Sequence, residues 1–158
     1  MYGRLSLFAG MLTFTLSLST ATLADFFDGR DAYLLKDYDT TVSEMRPLAQ
    51  EGDRRAQAFL GWMYKNGYGV QQDINEAIRW YKLAAAQGHG FGQKELGIAY
   101  KNGEGAPRDP VRAAMWFNLS KLRNYGLADL ALLEKKMDRA SILRARRMAN
   151  DWTARHKK

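Results

Sequence analysis

The chain contains no cysteine, two histidines and 3 prolines in 158 residues. The lack of thiols excludes disulfides, Cys-ligated zinc, thiol catalysis and a lipidated N-terminal cysteine. Two histidines, His89 and His156, leave little for metal ligation or acid–base chemistry. What is present is a 46% apolar composition, enough to bury a core in one domain of ordinary size. The formal net charge is +7, which makes the location of that charge informative.

Charge is also scarce at the start of the chain. Arg4 is the only charged residue before Asp25. It precedes an apolar stretch from Leu5 to Leu18 and then a run of mostly small residues, Ser19 to Ala24. A charged start, a short apolar segment and a small residue at the cut describe a secretory signal peptide over residues 1–24. Cleavage is expected after Ala24, with Ala21 as the alternative. The competing reading is an uncleaved anchor, but a bilayer span needs about 20 apolar residues and this stretch is shorter. No later segment is long and apolar enough to cross a membrane. The expectation is a mature chain starting at Asp25, periplasmic or secreted, not a lipoprotein, and held together by packing alone.

Self-comparison reveals a repeat. Leu60-Gly61 recurs as Leu96-Gly97, and Tyr64-Lys65-Asn66-Gly67 as Tyr100-Lys101-Asn102-Gly103. Gly69 pairs with Gly105, Asp73 with Asp109, Ala77 with Ala113, Trp80 with Trp116, and Tyr81 with Phe117. These eleven positions share one offset of 36, the signature of a repeat architecture.

Each copy reads as two helices around a glycine turn. Ala56, Phe59, Leu60, Met63 and Tyr64 recur at helical spacing. Gly67 then supplies the left-handed C-terminal conformation, and Gly69 a tight turn. Asp73 is a natural N-cap, and Glu76 three residues on predicts a capping box. In the second copy Asp109 caps and Pro110 occupies the first helical position. Ala77, Trp80, Tyr81 and Ala84 mark the buried stripe of the second helix. The expected packing has Ala58, Gly61 and Ala77 bringing two backbones together with Trp80 beside them, repeated by Gly97, Ala113 and Trp116. Loss of either Trp80 or Trp116 is expected to cost about 3–5 kcal/mol.

The pattern Ala56-Gln57…Leu60-Gly61…Tyr64…Gly67-Tyr68-Gly69-Val70…Asp73…Ala77…Trp80-Tyr81…Ala84-Ala85…Gly88-His89 resembles a Sel-1-like repeat. It covers residues 54 to 89 and continues over 93 to 119, ending in Met115-Trp116-Phe117-Asn118-Leu119. The resemblance implies tetratricopeptide-like α-hairpins stacked into an all-α, right-handed α/α superhelix. Gly92 in place of Ala, Ala106 in place of Val, and Ser120-Lys121 in place of an Ala pair suggest looser packing toward the C-terminal end.

The flanks fit the same plan. Residues 25–52 look like a degenerate leading hairpin, with Leu48-Ala49 and Gly52 in register with Ala84-Ala85 and Gly88; Pro47 is expected to disturb its second helix. Repeats at 53–88 and 89–124 follow, and 125–158 supplies capping helices. One of these runs through Leu127, Leu130, Leu133 and Met137. The other is capped by Asp138 and carries Ile142, Ala145, Ala149 and Trp152 on one face. Terminal units need such caps because one face has no neighbour. About eight helices in four hairpins result, within a single domain over 25–158.

No residue constellation nominates catalysis, a cofactor or a metal. Gly67-Tyr68-Gly69 and Gly88-His89-Gly90 follow no strand and do not end in Gly-Lys-Ser or Gly-Lys-Thr, so they read as turns rather than phosphate loops. Asn118-Leu119-Ser120 fits a glycosylation sequon inside a packed helix. Asp37 and Asp39 read as helix-start signals.

Two groups remain as candidates for binding. Phe59, Trp62, Glu95 and Ile98 differ between copies while the frame stays fixed, so they are candidate partner contacts on a concave face; filling inter-repeat gaps is the other reading. The second group follows from charge. Residues 1–120 carry 13 basic and 13 acidic residues, whereas residues 121–158 carry 11 basic and 4 acidic. Lys135, Lys136, Arg139, Arg144, Arg146, Arg147 and Arg155 carry most of that excess. In an exported protein this patch suits an acidic protein, anionic lipid or lipopolysaccharide better than nucleic acid, which is not expected as a partner; a solvated outer face is the plain alternative.

The resemblance implies a non-catalytic adaptor that holds a peptide or protein partner. Docking to an anionic envelope surface through the basic C-terminal helix is the alternative. An enzyme acting on peptidoglycan or β-lactams is weaker still, since the relatives linked to those ligands pin each repeat with a cysteine pair that this chain lacks.

Overall fold

The computed structural model describes residues 26–156. The signal-peptide segment and its two cleavage points lie outside the described residues. Among these residues the chain forms α1 (Phe26–Leu34), α2 (Tyr38–Glu51), α3 (Arg54–Asn66), α4 (Ile74–Ala86), α5 (Gly90–Asn102) and α6 (Pro110–Ser120). A 3-10 turn at Lys121–Arg123 leads to α7 (Leu127–Glu134) and α8 (Arg139–Arg155). Each helix from α1 to α6 packs on the next in sequence. The result is an all-α helical-repeat superhelix.

The 36-residue frame is written into the helix ends. Asp37, Asp73 and Asp109 cap α2, α4 and α6, each accepting main-chain N–H bonds. The predicted capping box is only half made. Glu76 N–H donates to Asp73, but the Glu76 carboxylate turns to Arg79 at 2.6 Å, because the Asp73 N–H already donates to the Tyr64 carbonyl. The Asp109 N–H does the same with Tyr100. The α1–α2 connection is much shorter than these seven-residue turns (67–73, 103–109), which explains why the leading hairpin matches the repeat only weakly. α2 runs on through Pro47 to Glu51.

Gly67 and Gly69 both have positive φ, as do Gly103 and Gly105. The second glycine of each pair does more than turn the chain. A Cβ at Gly69 would run into the Tyr38 carbonyl, and one at Gly105 would lie 2.9 Å from Ile78 and 3.2 Å from Ile74. Tyr38 and Ile74 hold equivalent places at the starts of α2 and α4. Each turn is thereby seated on the preceding hairpin.

The core differs from the expected packing in its large residue. A Cβ at Gly61 would lie 2.7 Å from the Tyr81 ring, and one at Gly97 would lie 2.5 Å from Phe117. Tyr81 and Phe117, not the tryptophans, therefore fill the close helix crossings. Trp80 is 4% exposed and packs with Val42, Met45, Leu60 and Met63 across three helices. Trp116 is only half-buried and lies edge-on to Trp152 at 6.0 Å. Its smaller burial reduces the cost expected for its loss.

Packing at the second repeat is not loose. A Cβ at Gly92 would meet Ala84 at 3.1 Å and the Ala85 nitrogen at 3.3 Å, so the missing methyl permits a closer approach. Ser120 is fully buried and donates to the Phe117 carbonyl at 3.0 Å, with the Tyr125 carbonyl equally near.

The last pair of helices is not a fourth hairpin of the same kind. α7 and α8 each pack mainly on α6, their backbones lying apart from one another. α7 ends at Glu134, so Met137 lies beyond it. On α8, Ala145 joins Phe117, Leu130 and Leu133, while Ala149 and Trp152 join Met115 and Leu119.

Candidate functional site

Three inter-helix junctions and the last turn of α8 line one groove of about 960 Å³. Gly52 to Arg55 come from the α2–α3 junction, and Ala86 to Gly88 from the α4–α5 junction. Leu119, Leu122 and Arg123 come from the end of α6 and the turn after it. Gln93 of α5 and then Trp152, Thr153, Arg155 and His156 complete the lining.

The junctions are fixed from beneath by two buried glutamines. Gln57 donates to the Ala49 carbonyl at 3.1 Å, and Gln93 donates to the Ala85 carbonyl at 3.3 Å. Each adds a second donor to a helix-end carbonyl that also accepts a main-chain N–H, from Gly52 at Ala49 and from Gly88 at Ala85. Gln87 donates to both the Gly52 carbonyl and Gln57 at 2.9 Å, which ties one junction to the next. Both glutamines recur at the repeat spacing, and that repetition was the available signal for their role.

Arginine dominates the charge of the groove. Among the described residues Asp53 is its one carboxylate, and it already pairs with Arg55 at 2.8 Å. That hydrogen-bonded guanidinium, with the Ala56 and Arg55 N–H groups, holds the Asp53 carboxyl below its ordinary range against the opposing effect of burial. Arg54 donates to the Gln87 carbonyl at 3.2 Å, and Arg155 to the Asp151 carbonyl at 3.2 Å. No carboxylate among the described residues pairs with Arg54, Arg123 or Arg155.

His89 sits at the edge of this charge as the N-cap of α5, its Nδ1 accepting from the Gly92 N–H at 3.4 Å. Burial lowers its pKa below the usual value, and Arg54 and Arg123 lower it further while Asp53 opposes. The cap needs the neutral ring, because a protonated Nδ1 cannot accept. Gly90 beside it leaves room for Arg123 and Tyr125, whose side chains a Cβ would meet at 2.6 and 2.7 Å.

The residues singled out for variation lie elsewhere. Phe59 stands edge-on to Phe26 and Tyr33, at 6.2 and 5.1 Å. Trp62 donates to the Tyr33 hydroxyl at 3.3 Å and meets Phe91 at 6.0 Å. Ile98 packs against the cluster of Ala113 and Phe117. Glu95 is 4% exposed and pairs with Lys65 at 2.5 Å, so it is not available as a surface contact. All four touch a neighbouring element in the superhelix. The void of about 10 Å³ near Glu95 and Tyr81 has room for no more than one water. In contrast, Lys135, Lys136, Arg139, Arg144, Arg146 and Arg147 are exposed, with Arg146 drawn to Glu134 at 3.1 Å.

Sequence reasoning did not find the groove. Arg123 and Arg155 belong to the C-terminal charge excess, but nothing in the linear order joins them to Arg54. Among the described residues, no group of three or more His, Asp or Glu side chains is arranged to hold a metal ion, and no helix is long and apolar enough to cross a membrane.

Comparison with known proteins agrees with this architecture. The Sel1 repeat family model matches residues 54–89 and 91–125. The crystal structure of a protective antigen from uropathogenic Escherichia coli, which displays an SLR fold, superposes with a TM-score of 0.76 at 28% identity over 81% of this chain. A Sel1 repeat protein from Oxalobacter formigenes superposes with a TM-score of 0.68 at 24% identity over 85% of this chain. This chain spans 29% and 56% of those two chains. No protein of curated function matches it significantly. Sel1 repeats commonly serve as protein–protein interaction scaffolds. With both copies of the repeat matched and the solenoid geometry shared, the chain carries two Sel1 repeats.

Proposed function

We propose that this protein is a non-catalytic, exported adaptor that holds a segment of a protein partner in the groove at its inter-helix junctions. The observation that carries this reading is the groove itself. It is about 960 Å³ in volume and is built from four separated chain segments. Buried glutamines fix the main chain of two of its junctions. A recess of that size on a rigid scaffold accepts a peptide without reorganising, which lowers the entropic cost of binding. Export rests on the N-terminal sequence pattern.

Selection of a random peptide library against the full chain tests the adaptor reading. A photo-crosslinker at Leu122, which lines the groove, is compared with one at Leu34 on α1. Enriched peptides that crosslink from Leu122 and not from Leu34 are expected. No enrichment, or crosslinking from Leu34 alone, overturns the reading. N-terminal sequencing of the protein recovered from its native host tests export; a start at Asp25 or Thr22 is expected, and an intact Met1 in the cell interior refutes it.

A further inference from the structure

The geometry points to an acidic peptide segment as the occupant of the junction groove, its carboxylates held by Arg54, Arg123 and Arg155 around an apolar residue seated on Leu119, Leu122 and Trp152. This inference rests on the adaptor reading and adds the chemistry of the partner.

Charge complementarity carries it. Three guanidinium groups line one recess and have no carboxylate partner among the described residues. The one acid among the described residues there, Asp53, is engaged by Arg55 and by helix N–H groups. All three arginines are exposed along the groove, and a carboxylate that bonds a guanidinium in two places makes a charge-assisted contact of the kind they lack. Arg54 from α3 and Arg123 from the turn after α6 line the same groove, and both also disfavour the charged form of His89 beside them. Gly90 brings Arg123 close by leaving out the Cβ that would collide with it.

The shape of the site selects among anions. Its charge lines a recess, whereas a lipid surface presents its headgroups to a protruding face. Single-stranded nucleic acid calls for open aromatic platforms. Here the Trp152 ring is already stacked on His156 at 4.1 Å and is met at its edge by Trp116. A polypeptide needs neither feature. It offers side-chain carboxylates at a spacing that separate arginines can reach, together with an apolar side chain for the leucine-lined floor.

The test uses the full chain and a fluorescent synthetic peptide of Asp and Glu around a central Leu-Trp pair, beside its Asn and Gln counterpart. Binding of the acidic peptide, about tenfold weaker for the amide peptide and falling as salt rises, is expected. The Arg123→Gln/Arg155→Gln protein should lose about tenfold in affinity, while Lys82→Gln/Arg108→Gln, which removes equal charge from residues outside the groove, should not. Arg54→Gln alone is the second variant, and urea midpoints establish that each protein is folded. Equal binding of the two peptides, equal loss from both charge pairs, or no binding of the acidic peptide overturns the inference. So does displacement of the peptide by oligothymidylate or by phosphatidylglycerol vesicles at lower concentration than unlabelled peptide. The library selection separates the two claims. Uncharged peptides crosslinking from Leu122 would leave the adaptor reading standing and remove only the acidic preference.

Discussion

Gly69 shows how one missing methyl serves two purposes. Its φ of +64 is costly for any residue with a Cβ, and the added carbon would also strike the Tyr38 carbonyl of the preceding hairpin. Gly52 has φ of +102 but open space around it. Gly52→Ala should therefore cost about 1–2 kcal/mol from backbone conformation alone, and Gly69→Ala measurably more, as read from urea unfolding. Equal losses would refute the seating of the turn on α2. His89 gives a second prediction at this scale. Its folded pKa lies below the unfolded value because burial and the nearby arginines disfavour the charged ring. Its stabilising contribution is thus fully present above the unfolded value near 6.5, and it is lost as pH falls through the lower folded value. Thermal unfolding from pH 7 down to pH 5 should show a falling midpoint, and His89→Asn, which keeps a cap acceptor, should flatten that fall. An unchanged slope in the variant would show that His89 does not set it.

Among the helices, burial decides which of two equivalent tryptophans matters more. Trp80 touches α2 and α3 from α4 and is 4% exposed, so Trp80→Ala should cost about 3–5 kcal/mol. Trp116 is half-buried against Trp152, so Trp116→Ala should cost clearly less in the same denaturation experiment. The sequence treats the two alike because the repeat frame records position in the helix, whereas burial depends on what the next unit brings. The frame made the Asp73 and Asp109 caps, the glycine turns and the helical hairpins legible, since each is set within a few residues. Tyr81 and Phe117 were legible as core but not as the groups that fill the glycine crossings. The groove was hidden for the same physical reason on a larger scale: Arg54, Arg123 and Arg155 are neighbours only after three helical units have stacked. Phe59, Trp62, Glu95 and Ile98 show the converse. Variation against a fixed frame marks a residue that answers to something other than its own repeat, and here that something includes the adjoining helix.

Across the whole molecule, stability runs along the row of helices rather than through one central core. Among the described residues most buried apolar side chains fall into four clusters, each shared by neighbouring elements. In such an assembly each unit is held by its own folding and by its immediate neighbours, so one end can open while the rest persists. The C-terminal end is the place to test this. α8 docks mainly on α6, and its fully buried Ala145 shares a cluster with Phe117 of α6 and with Leu130 and Leu133 of α7. Ala145→Glu places an unpaired carboxylate at that contact, a change expected to cost about 3 kcal/mol or more. Hydrogen exchange should show α8 amides losing protection while those of α3, α4 and α5 keep theirs. The acidic peptide should bind this variant more weakly, because Trp152 and Arg155 leave the groove wall with α8. Uniform loss of protection from α1 to α8 would instead mean that the solenoid folds as a single cooperative unit.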